Sequence, residues 1–382
     1  MKYRPFGKLD WQVSALGFGC MRLPIVGEDS GAINEPLATT MIRTAIDAGV
    51  NYIDTAYAYH REQSEPLVGR VLKDGYREKV RLATKMPSWL VHSQDDMDRL
   101  LDTQLARLNT DHLDFYLLHS LNAEHWKNYQ DLHVFDWAER KMAEGKFHHL
   151  GFSFHDKYEV FDSILNGYDN WTFCQIQYNY MDINTQAGLK GLRAAAAKGL
   201  AVVIMEPLRG GSLSKTPPPA VAQVFNQSRH DWNPTEWALQ WLWNQPEVSL
   251  LLSGMSNLEQ VQQNIASADR SAMASLSDAD LALIDQVRAA RAGLAPVPCT
   301  KCEYCQPCPN GVMIPSIFEI YNSAIMYDDL QNRRNIYQNE IKDENKADQC
   351  IECGQCESIC PQHIEIIEWL KTAHKQLSNE GA

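Results

Sequence analysis

The chain has 382 residues, which is long enough for two domains or for one large α/β barrel with an appendage. Of these residues 45% are hydrophobic and 22% are charged, which argues against intrinsic disorder. Its net charge of −13 argues against a nucleic-acid partner, and no apolar run approaches the ~18–20 residues of a membrane helix. The first residues, Met1 to Gly7, include no apolar signal sequence, so we expect a cytoplasmic protein without membrane contact.

Eight short hydrophobic segments recur over about the first 290 residues, and each predicts a β-strand. They are almost continuously apolar, β-branched or aromatic, as expected of strands that a parallel sheet buries on both faces. The predicted strands are Ala15–Gly19, Tyr52–Thr55, Val80–Lys85, Phe115–His119, Leu150–Phe154, Phe173–Tyr178, Ala201–Glu206 and Ser249–Gly254.

Amphipathic segments with helix-capping residues separate these strands. Thr39–Asp47 is followed by a glycine stop, Ser93 can cap Met97–Leu108, and Pro234 can open Thr235–Trp243. The alternation of strands and helices predicts a (β/α)8 TIM barrel rather than an open sheet. No G-x-G-x-x-G motif follows the first strand, which argues against a Rossmann fold.

Four reactive side chains lie at or just beyond the carboxyl ends of successive predicted strands. Asp54 and Tyr59 follow the second strand, Lys85 ends the third and His119 ends the fourth. Alone, each residue type has an ordinary structural role, as a helix cap, a packed ring, a surface cation or a structural histidine. In a (β/α)8 barrel, however, all four face one mouth, which is where the catalytic groups of such barrels lie.

This combination suits the reduction of a carbonyl group by hydride. The developing alkoxide needs a proton, and tyrosine, with a pKa of about 10, is a poor acid unless a cation stabilises its phenolate. Lys85 can supply that charge, Asp54 can hold Lys85 in place, and His119 can orient the carbonyl oxygen or share the proton. Tyr57 competes with Tyr59 for the role of the acid.

Several longer motifs decide between the two tyrosines. They are Leu16–Leu23, Gly49–Ala56 together with Tyr59, Ala83–Lys85, Asp114–His119, Gly145–Lys146, Gly151–Ser153, Gln175–Asn179 and Gly254–Gln260. Through them the chain resembles the aldo-keto reductase family, from Tyr3 to about Ala266. The resemblance implies a TIM barrel, a nicotinamide dinucleotide bound across the mouth, and reversible carbonyl reduction. It places the family's catalytic tetrad on Asp54, Tyr59, Lys85 and His119.

The resemblance also implies contacts with the cofactor. The family's carboxamide-binding positions fall on Ser153 and Gln175, although the asparagine that usually follows the serine is Phe154 here. Relatives that prefer NADP(H) often carry lysine and arginine at positions that are Gly254 and Gln260 here. Arg209 is a candidate substitute for these cations beside a 2′-phosphate. The resemblance favours NADP(H) and leaves NAD(H) open. The other implied contacts are Gly19, Cys20, Met21, Asp54, Met205, Pro207, Leu208, Gly210, Gly254, Ser256, Gln260, Gln263 and Asn264.

The ten cysteines are unevenly distributed, and all but two lie beyond residue 298 in two runs. The second run is Cys350, Cys353, Cys356 and Cys360, followed by proline, which is the bacterial-ferredoxin spacing for a [4Fe–4S] cluster. The first run is Cys299, Cys302, Cys305 and Cys308, also followed by proline but one residue shorter before its last cysteine. By analogy we expect two [4Fe–4S] clusters, each held by three cysteines of one run and the last of the other. Zinc held by thiolates is the alternative.

The sequence thus predicts two domains, a (β/α)8 barrel at 1–290 and a small, mainly helical, ferredoxin-type iron–sulfur domain at 296–382. We expect an NAD(P)H-dependent oxidoreductase that interconverts a small-molecule carbonyl compound and its alcohol. The alternative is a redox-sensing or electron-transfer subunit whose barrel binds nicotinamide and whose acidic tail docks a redox partner protein. Hydride carries two electrons and a [4Fe–4S] centre one, so direct exchange between them is unfavourable without a relay.

Overall fold

The computed structural model describes residues 1–27, 29–291, 294–327 and 329–378. The chain forms two compact units, one of Met1–Pro207 with Glu236–Ser275 and one of Leu208–Thr235 with Leu276–Ala382. The boundaries of the two compact units differ from the predicted domain ranges, 1–290 and 296–382, because Leu208–Thr235 belongs to the second unit. Compactness does not test those ranges, and they stay a prediction. Residue 28 of the first range and residues 328 and 379–382 of the second range lie outside the described residues.

The described residues of the first unit form ten strands. They are β1 (Tyr3–Phe6), β2 (Leu9–Ser14), β3 (Leu16–Gly19), β4 (Tyr52–Asp54), β5 (Arg81–Met86), β6 (Leu113–Leu121), β7 (Phe147–Phe154), β8 (Phe173–Gln177), β9 (Ala201–Met205) and β10 (Leu250–Ser253). Strands β3 to β10 form a closed parallel barrel in which β10 pairs with β3. Each predicted strand coincides with one of these eight to within three residues at either end. The predicted (β/α)8 barrel is confirmed.

Strands β1 and β2 form an antiparallel hairpin that the hydrophobic pattern did not predict, because both strands are short and partly exposed. Phe6 of β1 is fully buried, and its ring centroid lies 4.8 Å from that of Phe115 and 5.7 Å from that of Phe173. With Tyr52 these rings belong to the core inside the barrel, at the end where the strands begin. The hairpin therefore fills the end of the barrel opposite to the strand ends that carry the four candidate catalytic residues.

Helices separate and follow the strands along the chain. They are α1 (Glu35–Asp47), α2 (Ser64–Val71), α3 (Gln94–Leu108), α4 (Ala123–Asp131), α5 (Val134–Ala143), α6 (Tyr158–Asn166), α7 (Gly188–Ala197), α8 (Pro219–Phe225), α9 (Pro234–Trp243), α10 (Leu258–Asp269) and α11 (Asp278–Arg291). Asn34 and Ser93 cap α1 and α3 through side-chain hydrogen bonds, so both helices begin a few residues before their predicted starts. Among the helices of the described residues, none is long and apolar enough to cross a bilayer.

The C-terminal part of the second unit is helical. Its helices are α12 (Ile314–Met326), α13 (Leu330–Glu340), α14 (Gln355–Ser358) and α15 (Ile366–Leu377). Ile317, Phe318, Tyr337, Leu370 and Leu377 form the core between three of them. One cysteine run precedes α12 and the other surrounds α14. The prediction of a mainly helical tail is confirmed.

Candidate active site and metal centre

Lys85 and Asp54 form a buried ion pair at the carboxyl end of the strands. Asp54 is the last residue of β4, and Lys85 lies near the end of the neighbouring strand β5. The Lys85 Nζ atom donates to Asp54 Oδ1 at 2.5 Å and to the carbonyl oxygen of Thr55 at 2.8 Å. Only 1% of Lys85 and 2% of Asp54 is exposed. Breaking a buried pair of this kind costs about 3–5 kcal/mol, so each side chain holds the other in place.

The hydroxyl oxygen of Tyr59 accepts a third hydrogen bond from Lys85 Nζ, at 3.3 Å. Tyr59 lies in the turn after β4, and its ring centroid is 4.8 Å from the same Nζ atom. An ammonium has three N–H groups, and the bonds to Asp54, Thr55 and Tyr59 occupy all of them. Burial raises the pKa of Tyr59 well above its ordinary value, and the Asp54 carboxylate raises it further. The phenol is therefore protonated at neutral pH and can donate its own O–H to a ligand.

His119 on β6 lies beside Tyr59, edge-on to the phenol ring with 6.1 Å between the ring centroids. Burial lowers the pKa of His119 well below its ordinary value, and the positive charge of Lys85 lowers it further. The imidazole is therefore neutral at physiological pH and carries one N–H group. Trp89 is 37% exposed, and its ring centroid is 5.2 Å from that of His119. The imidazole thus neighbours both the Tyr59 phenol and a partly exposed indole.

A buried polar network behind Lys85 was not predicted. Gln104 on α3 donates to the carbonyl oxygen of Lys85 at 3.0 Å and to Glu65 Oε1 on α2 at 2.5 Å. Thr84 donates to the same carboxylate oxygen at 2.6 Å, and Tyr116 donates to Gln104 Oε1 at 2.7 Å. The network therefore joins two helices to the strand that carries the lysine. A glutamate and a glutamine at apolar helix positions are the sequence signal for it, but that signal does not say which strand they support.

Ser153 on β7 and Gln175 on β8 are paired in neighbouring strands, and both are buried. Ser153 Oγ accepts a hydrogen bond from Ser120 N at 2.7 Å. The amide oxygen of Gln175 is buried and has no hydrogen-bond partner among the described residues. Leaving a buried acceptor unpaired is unfavourable, so this oxygen suits an N–H group of a ligand. The carboxamide of a nicotinamide supplies such a group, and these two residues fit it.

The stretch from Gly254 to Asn264 forms the turn after β10 and the start of α10. Gln260 Oε1 accepts a hydrogen bond from Ser256 N at 2.8 Å, so this side chain stabilises its own turn. Asn264 is buried and donates to a serine hydroxyl of β10 at 3.0 Å. The exposed members of the predicted set are uncharged: Gly254, Ser256, Gln260 and Gln263. Their roles in cofactor binding stay predictions.

The remaining implied cofactor contacts divide between the two units. Leu208 and Gly210 belong to the second unit. Gly210 has a φ of +62°, and a Cβ atom there would overlap the carbonyl oxygen of Thr300. Position 210 requires glycine because the Thr300 carbonyl oxygen lies so close to it, whereas its contact with a cofactor stays a prediction. The contacts in the first unit are Gly19, Cys20, Met21, Asp54, Met205 and Pro207.

The eight tail cysteines form two neighbouring groups of thiols, all of them free of disulfides. The Cys305 thiol interacts electrostatically with the two preceding thiols of its run and with Cys360, and less with Cys356. The Cys356 thiol interacts with those of Cys350 and Cys308. Four thiols in each group suit a [4Fe–4S] cluster, and they also suit zinc. We call Cys299, Cys302, Cys305 and Cys360 the first thiol group, and Cys308, Cys350, Cys353 and Cys356 the second.

Two family models match the chain, that of the aldo/keto reductase family over residues 15–289 and that of a 4Fe-4S dicluster domain over residues 298–365. The first match covers more than half of the chain. The chain belongs to the aldo/keto reductase family. This aldo/keto reductase is an oxidoreductase with a C-terminal 4Fe-4S dicluster domain, as predicted, and the second match favours iron–sulfur over zinc at the cysteines.

This aldo/keto reductase is similar to several named proteins. L-galactose dehydrogenase of Arabidopsis thaliana is 28% identical, and the match covers 70% of this chain and 88% of that protein. NADH-specific methylglyoxal reductase of Escherichia coli is 26% identical, and the match covers 75% of this chain and 98% of that protein. Among solved structures, the holo form of aldo-keto reductase AKR11C1 from Bacillus halodurans is 26% identical with a TM-score of 0.63, covering 75% of this chain and 96% of that one. An aldo-keto reductase from Klebsiella pneumoniae in complex with NADPH has the same fold, with 24% identity, a TM-score of 0.59, and coverage of 75% and 95%.

Proposed function

We propose that this aldo/keto reductase uses NAD(P)H to interconvert a small carbonyl compound and its alcohol, with Tyr59 as the catalytic acid and base. The observation that carries the proposal is the Lys85 ammonium, which donates both to Asp54 and to the hydroxyl oxygen of Tyr59. A cation held in this position stabilises the phenolate that remains after the proton has left.

The bound nicotinamide supplies or accepts the hydride. Tyr59 donates its O–H proton to the carbonyl oxygen of the substrate, because its hydroxyl oxygen only accepts from Lys85 and its own proton stays available. Neutral His119 donates its N–H to the same oxygen and orients the carbonyl. In the direction of alcohol oxidation, the Tyr59 phenolate takes the proton back.

We propose NADP(H) as the cofactor, with its carboxamide bound to Ser153 and Gln175. The unpartnered amide oxygen of Gln175 supports this site, and the similar structure from Klebsiella pneumoniae holds NADPH. NAD(H) is the alternative, since one relative is an NADH-specific methylglyoxal reductase. The ratio of kcat/KM with NADPH to kcat/KM with NADH distinguishes them. Methylglyoxal and L-galactose, which occur in the names of the relatives, are the first substrates to assay.

We propose two [4Fe–4S] clusters in the C-terminal domain, one on each thiol group. The match to a dicluster model and the grouping of the thiols support this number. Three thiolates of one run and the final thiolate of the other would hold each cluster, as in ferredoxins of this spacing.

Replacement of the catalytic phenol tests the proposed reaction. We expect Tyr59→Phe to lower kcat for carbonyl reduction by about 100-fold or more, because the substrate oxygen loses its proton donor. NADPH affinity, measured by quenching of tryptophan fluorescence, should change little, since the hydroxyl takes no part in the predicted cofactor contacts.

Tyr57→Phe is the matched control, because Tyr57 is two residues away and its ring packs against the Arg107 guanidinium at 4.2 Å. It removes the same hydroxyl group from a neighbouring tyrosine and should retain most of the activity. Near-normal turnover in Tyr59→Phe, or an equal loss in both variants, would contradict the assignment.

A second candidate function is electron transfer, with the barrel as a nicotinamide-binding subunit. The exposure of Cys353 in the second thiol group favours it, because a cluster there lies near solvent. This function predicts slow turnover of every free carbonyl substrate even in the wild-type protein with both clusters loaded. Turnover of about 1 per second or faster, which is ordinary for enzymes, would exclude it as the main activity.

A further inference from the structure

The two thiol groups differ in their access to solvent. Cys360, which completes the first group, is buried with 9% of its surface exposed. Cys353 of the second group is exposed, and Gly354 follows it with a φ of +74°, where an added Cβ would meet no atom within 4 Å. No side chain therefore covers this part of the loop among the described residues. The second group is therefore the one with a ligand candidate exposed to solvent.

Two apolar side chains flank the exposed cysteine. Ile351 is 62% exposed and Ile359 is 53% exposed, and both line the same cavity as Cys350, Cys353 and Cys356. Exposed isoleucines on both sides of a metal-ligating loop form a small apolar contact surface. Small surfaces of this kind are typical of the transient complexes of redox proteins.

The chain around this loop is acidic. From residue 348 to residue 371 the sequence holds five carboxylates, Asp348, Glu352, Glu357, Glu365 and Glu368, and one lysine, Lys371. The Glu352 side chain lies between Ile351 and Cys353 in sequence and is 57% exposed, and it pairs with Lys371 at 3.1 Å. Lys371 also pairs with Glu368, so a single cation is shared between two carboxylates. The charge that remains around the loop is negative.

We propose that Ile351, Ile359 and the surrounding carboxylates are the docking surface of a one-electron carrier protein with a basic rim around its own redox centre. The docking proposal rests on the proposed function in one respect, because it requires a cluster on the second thiol group. One electron passes between the oxidised form of one partner and the reduced form of the other, without transfer of a proton or change of a bond. Opposite charges accelerate the encounter, and the apolar pair allows the centres to approach closely.

The test uses the full-length protein with its clusters loaded and reduced by dithionite, which is then removed. Horse cytochrome c serves as the basic one-electron probe, and its reduction is followed by stopped-flow absorbance. Charge reversal in Glu352→Lys should lower the second-order rate constant about 5- to 10-fold at low salt. At about 0.5 M salt the difference from wild type should nearly vanish, because such charges are then screened.

Glu340→Lys is the matched control, since it makes the same charge change in the same unit at an exposed residue, at the end of α13. It should change the rate constant less than about 2-fold. Ile359→Ser should lower the rate at every salt concentration, because it removes apolar contact area rather than charge. Iron content and the electron paramagnetic resonance (EPR) spectrum of each variant establish that its clusters are intact.

Equal rates in Glu352→Lys and Glu340→Lys, or a rate that does not depend on salt, would overturn the docking surface while leaving the clusters and the reductase in place. Absence of iron from the wild-type protein would instead overturn the proposed clusters. Carbonyl reduction by NADPH, assayed on the same preparation, reports separately on the barrel. The three failures are therefore distinguishable.

Discussion

At the scale of single residues, the reactivity of the site depends on how Lys85 distributes its hydrogen bonds. Two of its N–H groups are directed at Asp54 and Thr55, which fix the ammonium, and the third is directed at the Tyr59 oxygen. The phenol oxygen therefore accepts from a cation, and its own O–H can donate to a ligand. Burial raises the pKa of Tyr59, and the Asp54 carboxylate raises it further, so the phenol is protonated at neutral pH.

The directions of these pKa shifts predict a flat pH profile for carbonyl reduction. Protonated Tyr59 is lost only as pH rises through its raised pKa, and neutral His119 is lost only as pH falls through its lowered pKa. We expect kcat for reduction to stay constant from about pH 7 to about pH 9. Steady-state kcat measured across this range at saturating NADPH checks it, and a fall with a midpoint near neutrality would show that another group donates the proton.

At the scale of elements, helices α2 and α3 hold the position of strand β5 through Glu65 and Gln104. Gln104 donates hydrogen bonds to the Glu65 carboxylate and to the Lys85 carbonyl oxygen, and all three residues are buried. Burial raises the pKa of Glu65, which shows how costly its charge is there without the hydrogen bonds it accepts. The strand that carries Lys85 is thus supported by buried residues of α2 and α3 that lie outside the proposed tetrad.

We expect Gln104→Leu to destabilise the protein by about 3 kcal/mol, because it leaves the buried Glu65 carboxylate and the Lys85 carbonyl oxygen short of a donor. Urea denaturation followed by circular dichroism measures this change. The variant should also lose kcat, because the strand that carries Lys85 shifts.

Gln94→Leu on the same helix is the control for this substitution, since Gln94 makes one hydrogen bond, to the Leu132 carbonyl oxygen, at a half-buried site. It should cost about 1 kcal/mol and leave kcat near normal. Equal losses in the two variants would show that the network has no particular role in placing the lysine.

At the scale of the whole molecule, one chain combines an aldo/keto reductase barrel with a dicluster domain whose chemistry moves electrons singly. Hydride transfer needs no cluster, and a cluster cannot accept hydride. The proposed carbonyl reduction and the proposed electron transfer can therefore be measured separately. This separation makes the metal content a test of the C-terminal domain alone.

We expect the anaerobically purified protein to contain about eight iron and eight sulfide ions per chain, as two cubane clusters require. The crossed ligand sets predict that Cys308→Ser and Cys350→Ser perturb the same cluster, while Cys360→Ser perturbs the other, although Cys350 and Cys360 share a run. EPR spectra of the reduced variants show which of the two clusters each substitution perturbs. Zinc in place of iron, or matching spectra for Cys350→Ser and Cys360→Ser, would contradict the assignment.

The sequence alone determined the barrel, the strand-end positions of the four catalytic candidates and the two cysteine runs, because periodicity and spacing are local properties of a chain. It did not reveal the β1–β2 hairpin, whose short, half-exposed strands carry no clear pattern, or the support of Lys85 by Gln104, which lies nineteen residues further along the chain. Packing between distant segments decides which oxygens accept from Lys85. It also decides that the amide oxygen of Gln175 has no partner among the described residues and that Cys353 reaches the surface. Only the tertiary structure decided these, since burial and hydrogen bonding are set by neighbours in space.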